Sequence, residues 1–275
     1  RLAVACTGEY AIAVAGANPT LVNVLSAVTT TVLRVSGIYE KEVSIKFTLI
    51  GAESSLLFLD PATDPFTGNN NANVLINESQ QVIDNVALDA NYDIGHTFST
   101  GGGGLAGLGV VCTTGQKGRG ITGSSNPVGD PYDVDFVCHE FGHQFGCNHS
   151  YNQCTGNATE HAGTMVEPGS GITIMGYANV CAPKDNLASQ SIPYFHSISF
   201  DELMTYSSTG AGNSCGTITS TGNTAPVVGA IATYTIPKLT PFDLIGKATD
   251  ADNDPLTYGW GETDNDSTRH DLGTA

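Results

Sequence analysis

Hydrophobic residues in the first fifty positions recur with different spacings, and each spacing predicts one element. Residues 2–14 alternate or run apolar, which predicts a strand. From Pro19 to Glu42, apolar residues recur at intervals of three and four, which predicts an amphipathic helix in spite of its β-branched content. The apolar positions of this helix are Leu21, Val24, Leu25, Val28, Val32, Val35 and Ile38. Apolar and polar residues then alternate from Val43 to Ile50, which predicts a second strand.

The following fifty positions predict a loop and two shorter elements. Asp-Pro pairs and a run of asparagines indicate turns and loop over residues 57–73. A helix is expected from Glu78 to Leu88, and a short strand from Asp93 to Phe98. The resulting order of strand, helix, strand, helix and strand predicts an α/β domain whose sheet has helices packed against it.

Four consecutive glycines, Gly101–Gly104, lead into the apolar segment Leu105–Val111. The glycines by themselves are equally compatible with a flexible loop. The segment after them is expected to form a strand at a sheet edge. An edge strand can pair with an extended peptide through main-chain hydrogen bonds, so this segment is a candidate for substrate binding.

Residues 139–149 read HEFGHQFGCNH and match the zinc-hydrolase pattern H-E-x-x-H-x-x-G-x-x-H. On a helix, His139 and His143 lie one turn apart on the same face, so both imidazoles can reach one metal ion. Glu140 lies beside them, where it can act as general base on a metal-bound water. Gly146 can adopt the left-handed conformation that ends a helix, so that the chain turns back and presents His149. Three protein ligands leave the fourth position of a tetrahedral zinc open to water, as in catalytic sites.

Composition and charge narrow the class of protein. The chain has 10 Lys and Arg against 27 Asp and Glu, for a net charge of −17, which argues against nucleic acid as a partner. No stretch of about 18 apolar residues is evident, so no membrane span is expected. The chain begins at Arg1 and continues at once into LAVAC, which resembles the mature end left when a signal or pro-segment is removed. We therefore expect a secreted, extracellular monomer.

Seven cysteines fit an oxidising compartment, and their odd number leaves at least one unpaired. Sequence alone does not fix the pairing. We favour Cys154 with Cys181, which bracket the loop after the third histidine, and Cys112 with Cys215, which bracket most of the catalytic half. Cys138 precedes the first histidine and is expected to pack inward as a small apolar residue.

Two further residues follow the histidine motif at a distance. Met175 lies in the sequence TIMGY, 26 residues after His149. A lone methionine is ordinarily core filler, but after this motif a methionine in a tight turn beneath the metal is expected. Tyr177 can either present its hydroxyl to the metal or to a developing oxyanion, or pack as an ordinary loop tyrosine. Ser199 and Glu202 form an S-x-x-E capping box that is expected to open a helix through Tyr206.

HEFGHQFGCNH together with TIMGY resembles the metzincin clan of zinc endopeptidases. The segments GLAGLGVVC and GRGIT before the motif are similar to the adamalysin or reprolysin branch, particularly its secreted bacterial members. The resemblance covers about residues 1–215. It implies a metzincin-like α/β (α+β) fold of two subdomains, with a twisted mixed sheet, packed helices and an active-site cleft. The upper subdomain would span about residues 1–146 and the irregular lower one about 147–215.

The resemblance also implies roles for individual residues. His139, His143 and His149 would bind one zinc ion, Glu140 would be the base, and Met175 would form the turn beneath the metal. Leu105 and Ala106 match the substrate-pairing edge strand of the family. Two departures leave the subfamily open. Ser150 follows the third histidine where adamalysins have aspartate, and Tyr177 stands where astacin-like and serralysin-like members have a metal-proximal tyrosine.

The last fifty residues differ in character from the rest. After a linker at 216–222, residues 223–275 alternate like strands and resemble the start of an immunoglobulin-like or cadherin-like β module. They are too few for a complete sandwich of about 100 residues. Asp250, Asp252 and Asp254 alternate in a way that can bind Ca²⁺, although acidic turns are far more common.

The sequence thus predicts a secreted zinc endopeptidase that acts on extended protein or peptide substrates. The alternative is an extracellular binding or adhesion protein that keeps a metzincin scaffold without turnover. Glu140 and an open coordination position favour the enzyme.

Overall fold

The central sheet joins strands that lie far apart in the sequence. In a computed structural model, which describes residues 1–265, strands pair in the order β1-β2-β4-β3. Three of them, β1 (Leu2–Cys6), β2 (Ile94–Ser99) and β4 (Gly120–Gly123), run parallel, whereas β3 (Gly104–Ala106) pairs antiparallel with β4 at the edge. The three parallel strands are buried throughout, and β3 is half-buried. The predicted mixed sheet with packed helices is therefore confirmed.

Within residues 1–265, six helices accompany the sheet. They are α1 (Gly8–Ala15), α2 (Leu21–Val43), α3 (Ala72–Ala87), α4 (Asp130–Tyr132), α5 (His139–Gln144) and α6 (Ser197–Ser208). A π-helical segment, Asp133–Cys138, joins α4 to α5, and short 3₁₀ turns lie at Glu53–Leu56, Asp89–Asn91 and Ala211–Asn213.

Strand β1 shows how the sheet separates two hydrophobic cores. Leu2, Val4 and Cys6 belong to the core that contains the buried face of α2, whereas Ala3 and Ala5 belong to the core that contains α3. Alternate side chains of a strand point to opposite faces, so this division places helices on both faces of the sheet.

The strand predicted over residues 2–14 is wrong in its second half, because β1 ends at Cys6 and α1 begins at Gly8. The Thr7 hydroxyl accepts a hydrogen bond from the Tyr10 amide at 3.2 Å and caps the helix. A continuous run of alanine and valine does not distinguish a buried strand from a buried helix by periodicity.

The prediction of a helix from Pro19 to Glu42 is confirmed by α2, which Thr20 caps by accepting from the Asn23 amide at 3.3 Å. Of the described helices, α2 alone is long and apolar enough to cross a membrane by length and composition. Its face containing Val24, Val28 and Val35 is fully buried in the protein core.

The strand predicted from Val43 to Ile50 is wrong, because only Leu49 forms a bridge with β1. The Leu2 amide donates to the Thr48 carbonyl at 2.8 Å, but the next outward amide of β1, on Val4, donates to the carboxylate of Glu53 at 3.2 Å. A side chain therefore takes the place of the next ladder partner, and pairing stops after one bridge.

Two predicted helices differ from the structure at their starts. Helix α3 begins at Ala72 rather than Glu78, because Asn71 accepts from the Val74 amide at 3.4 Å and caps it. Helix α6 begins at Ser197, capped by His196, so the predicted capping box at Ser199 is wrong. The strand predicted at Asp93–Phe98 is confirmed by β2.

Both favoured disulfides are present, Cys112–Cys215 and Cys154–Cys181. The three remaining cysteines, Cys6, Cys138 and Cys147, are free and buried. Cys138 lies in the core beside Phe141, as its predicted packing role requires.

Residues Thr217–Gly261 form a separate unit with mostly exposed side chains. Its described strands are β5 (Val227–Val228) and β6 (Ala248–Thr249), which pair antiparallel. The Asp250 carboxylate accepts from the amides of Asp252 at 2.8 Å and Asp254 at 3.1 Å, so the three aspartates form an acidic turn. The β module stays a prediction, and its residues 266–275 lie outside the described part of the chain.

Candidate metal centre and active-site cleft

Helix α5 and the turn after it bring the three motif histidines together. His139 and His143 lie one helical turn apart, and the helix ends before Gly146, whose φ of 90° lies in the left-handed region that glycine favours. The chain then reverses and returns His149 to the same point. The Nε2 atom of His139 lies 3.0 Å from that of His143 and 3.2 Å from that of His149, and the remaining pair is 3.1 Å apart.

The opposite nitrogen of each ring fixes its tautomer. Nδ1 of His139 lies 2.7 Å from the Ile174 carbonyl, and Nδ1 of His143 lies 2.7 Å from the Cys147 carbonyl. Nδ1 of His149 lies 2.8 Å from the carbonyl of Thr159. A carbonyl only accepts, so each Nδ1 carries the proton and each Nε2 presents a lone pair to the shared point.

This arrangement fits a zinc ion. Three lone pairs that face one another repel unless a cation lies between them. Zn–N bonds of about 2.0–2.1 Å at tetrahedral angles place ligand nitrogens about 3.3–3.4 Å apart, close to the spacing found here. Burial lowers the pKa of His143 to about 3 and also lowers the pKa values of His139 and His149, which favours the neutral form that binds metal. In the described chain, these three histidines form the one cluster able to hold a metal ion.

Met175 packs closely against helix α5, which carries His139 and His143. It is fully buried, and a Cβ atom placed on Gly142 would lie 2.4 Å from its sulfur. Gly142, a variable position of the motif, therefore admits the methionine to the helix surface. The residue before the methionine, Ile174, supplies the carbonyl that orients His139.

Glu140 lies beside the histidines in a closely packed environment. Its side chain is buried, and its Oε2 atom has no hydrogen-bond partner within the protein. Burial raises the pKa of this carboxyl to about 8. A Cβ atom on Gly104 would lie 2.0 Å from Glu140 Oε1. Any larger residue at position 104 would collide with Glu140, so glycine is required there. The sequence alone was equally compatible with a flexible loop at the four glycines.

The structure brings Tyr177 to the same centre. Its ring centroid lies 4.6 Å from that of His149 and 5.6 Å from that of His139, and its ring stacks on Tyr151 at 4.5 Å. Its hydroxyl accepts from the Thr159 hydroxyl at 3.4 Å. Burial raises the pKa of Tyr177. Tyr177 therefore packs against two of the metal-binding rings, and a role toward an oxyanion stays a prediction.

A cavity of about 160 Å³ opens beside Glu140. Its lining includes Gly176 and Tyr177, which follow Met175, and Gly104 at the start of β3. Leu105 and Ala106 follow on β3 at the edge of the sheet. The proposed peptide-pairing strand thus begins at the cavity that holds the candidate base.

Ser150 belongs to a hydrogen-bond network around the buried carboxylate of Glu167. Adamalysins have aspartate at the position of Ser150, and nothing in the sequence indicates this network. The Ser150 hydroxyl donates to Glu167, which is 5% exposed. Glu167 also accepts from the amides of Ile172 at 2.9 Å and Thr173 at 3.0 Å, and from the Thr173 hydroxyl at 2.6 Å. The Ser150 amide donates to the Met175 carbonyl at 3.1 Å. This network ties the residue after the third ligand to the methionine turn.

The protein has a mixed α/β fold in which three imidazoles converge beside a buried glutamate. This combination is typical of the active site of a metallopeptidase. The family model described as metallo-peptidase family M12B, reprolysin-like, matches residues 1–214 of the 275. The chain belongs to this family, which confirms the predicted reprolysin-like metzincin relationship. Peptidases of the family use zinc, in agreement with the histidine cluster. No curated protein matches the chain.

Proposed function

We propose that this protein is a secreted zinc endopeptidase that hydrolyses extended polypeptides. The observation that carries the proposal is the convergence of three Nε2 lone pairs next to the buried, unpartnered carboxylate oxygen of Glu140. The two disulfides support an oxidising, extracellular environment.

In the proposed mechanism, His139, His143 and His149 hold the zinc ion. The chemistry that zinc supplies when bound there is a coordinated water with its pKa lowered to about 7 and polarisation of the scissile carbonyl. Glu140 takes a proton from the attacking water and later delivers it to the leaving amine nitrogen. Its Oε2 has no hydrogen-bond partner within the protein, and the pKa of its carboxyl would be lowered by a zinc ion held beside it, which favours the ionised form that accepts this proton. No covalent intermediate with the protein is required.

The substrate would be held by the edge of the sheet. Leu105 and Ala106 on β3 would pair with the main chain of an extended peptide, as an added strand does. This pairing would lay the peptide along the cavity beside Glu140. Tyr177, which lines that cavity, would be within reach of the developing oxyanion.

Hydrolysis of casein by the purified protein tests this function against the alternative of a non-catalytic binding protein. We expect cleavage that a zinc chelator abolishes and added zinc restores. Glu140→Ala should bind zinc and keep the fold, yet lose cleavage by roughly 10³-fold or more, because the proton acceptor is gone. Full activity of Glu140→Ala would contradict the mechanism, and an inert wild-type protein with bound zinc would favour the binding protein.

A further inference from the structure

The cavity beside Glu140 contains a second carboxylate, that of Asp135, which the proposed chemistry does not use. Asp135 lies on the π-helical segment, four residues before His139, and lines the same cavity as Ser191. The Ser191 amide donates to Asp135 Oδ1 at 2.8 Å and holds the carboxylate in place. Asp135 is therefore a fixed negative group in the wall of the candidate substrate cavity.

No cation offsets this charge within the described residues. Asp135 takes part in none of their ion pairs, and the residues that line the cavity include no lysine or arginine. Burial raises the pKa of Asp135, as expected for a carboxylate that lacks a positive partner. The net charge of −17 adds to the negative potential at the cavity.

The other cavity walls suit a long side chain with an apolar stem. Phe136, Ala178 and Val180 line the cavity together with Asp135. Lysine and arginine bury their methylene groups along apolar surface while their charged ends find a partner. A guanidinium or ammonium group placed at Asp135 would form a charge-assisted hydrogen bond in a site that excludes part of the solvent.

We propose that Asp135 selects substrates with arginine or lysine at the residue flanking the scissile bond that enters this cavity. The inference rests on the proposed endopeptidase activity and adds the substrate class. Asp135 acts here as a specificity-determining residue and takes no part in the proton transfers assigned to Glu140.

A cleavage profile of an unbiased peptide library first identifies the flanking position with the strongest preference. Matched peptides then carry arginine, its neutral isostere citrulline, or leucine at that position, and kcat/KM is measured for each. For the wild-type enzyme we expect arginine to exceed citrulline and leucine by about 10-fold or more. In Asp135→Asn the ratio of arginine to citrulline should fall to about one, while the amide oxygen still accepts from Ser191.

Asp201→Asn is the matched control, because it also removes one carboxylate, while Asp201 is exposed on α6 and does not line the cavity. It should leave the ratio unchanged. Zinc content and circular dichroism establish that each variant is folded. If Asp135→Asn does not fold, the three peptides with the wild-type enzyme still decide between a cationic and an apolar preference. Equal or better cleavage of leucine peptides, or a preference that survives in Asp135→Asn, overturns this inference, whereas failure to cleave any peptide overturns the endopeptidase activity itself.

Discussion

The candidate metal centre combines residues from two regions that are held in place by different means. His139 and His143 lie on helix α5, which packs against a sheet whose parallel strands are buried. His149, Met175 and Tyr177 lie in the segment between α5 and α6, where the described chain contains no helix or strand. The regular region fixes its ligands through backbone periodicity. The irregular region fixes its residues through side chains that bond to the backbone, through one disulfide, and through stacked rings.

The difference between helix α5 and the irregular segment determines which substitutions are expected to disturb the histidine cluster. In a helix, the position of a ligand is determined by its neighbours along the chain, and few single side chains are indispensable to it. In the segment 147–196, a single side chain such as Glu167 holds several turns at once. Substitutions there are expected to disturb the metal centre from a distance.

Glu167→Ala should produce the largest effect of this kind. It leaves the amides of Ile172 and Thr173 without their acceptor in a buried site, at a cost of about 4 kcal/mol in the free energy of unfolding. Zinc affinity should fall by about 10- to 100-fold, because the methionine turn also orients His139. Denaturant unfolding and zinc titration measure the two effects. Glu167→Gln keeps one acceptor oxygen and should recover part of both, and unchanged zinc affinity in Glu167→Ala would show that the network does not position the metal.

The double substitution Cys154→Ser and Cys181→Ser tests the disulfide in the irregular segment. The bond closes a loop with a sequence separation of 27, for which chain entropy predicts a loss of about 3.5 kcal/mol in stability. Local opening at Tyr177 should increase more than opening at α2, since the bond lies in the irregular region. Amide hydrogen exchange followed by mass spectrometry distinguishes them. Equal loss of protection in both regions would mean that the two unfold as one unit.

Glu53 offers a corresponding test of the regular region. This buried carboxyl accepts from the Val4 amide, and burial raises its pKa to about 8. The folded state then binds the proton more tightly than the unfolded state, so the contribution of Glu53 to stability is fully present below its unfolded pKa of about 4.3 and is lost as pH rises through about 8. Between pH 6 and 8 the loss attributable to Glu53 is about 2 kcal/mol.

Glu53→Gln should remove this part of the pH dependence, because the amide cannot ionise and its oxygen can still accept from Val4. Urea unfolding of both proteins at pH 6, 7 and 8 gives the two slopes. Parallel curves would show that Glu53 does not change protonation on unfolding in this range.

The same contrast explains how much the sequence could predict. Helix α2 follows a regular apolar spacing, and the structure has a helix over the predicted residues. The histidine motif follows a fixed spacing, and the structure brings its three histidines together. The strand from Val43 to Ile50 could not be judged from its alternation, because the failure to pair depends on Glu53 reaching Val4 from elsewhere in the chain. Ser199 matched a capping box, yet Glu202 bonds to Asn148 instead, with its carboxylate 2.9 Å from the Asn148 amide.

Within the candidate site, the sequence pattern predicts the three histidines that the structure brings together, but not the groups that hold their rings in place. The hydrogen-bond partners of the three Nδ1 atoms are main-chain carbonyls. Every residue has such a carbonyl, so the residue types in the sequence do not identify these partners. Gly142 and Asp135 occupy variable positions around the motif, so their contacts become visible only when Met175 and the cavity are placed beside them.

Because those three carbonyls orient the histidines, the rate of zinc loss would depend on how often the local backbone unfolds. Replacing the side chains of Cys147, Thr159 or Ile174 does not remove an oxygen from His143, His149 or His139. Only a movement of the backbone does, and Cys147, Thr159 and Ile174 all lie in the irregular segment. The rate at which a chelator extracts zinc would therefore report how often that segment opens, with no label attached to the protein.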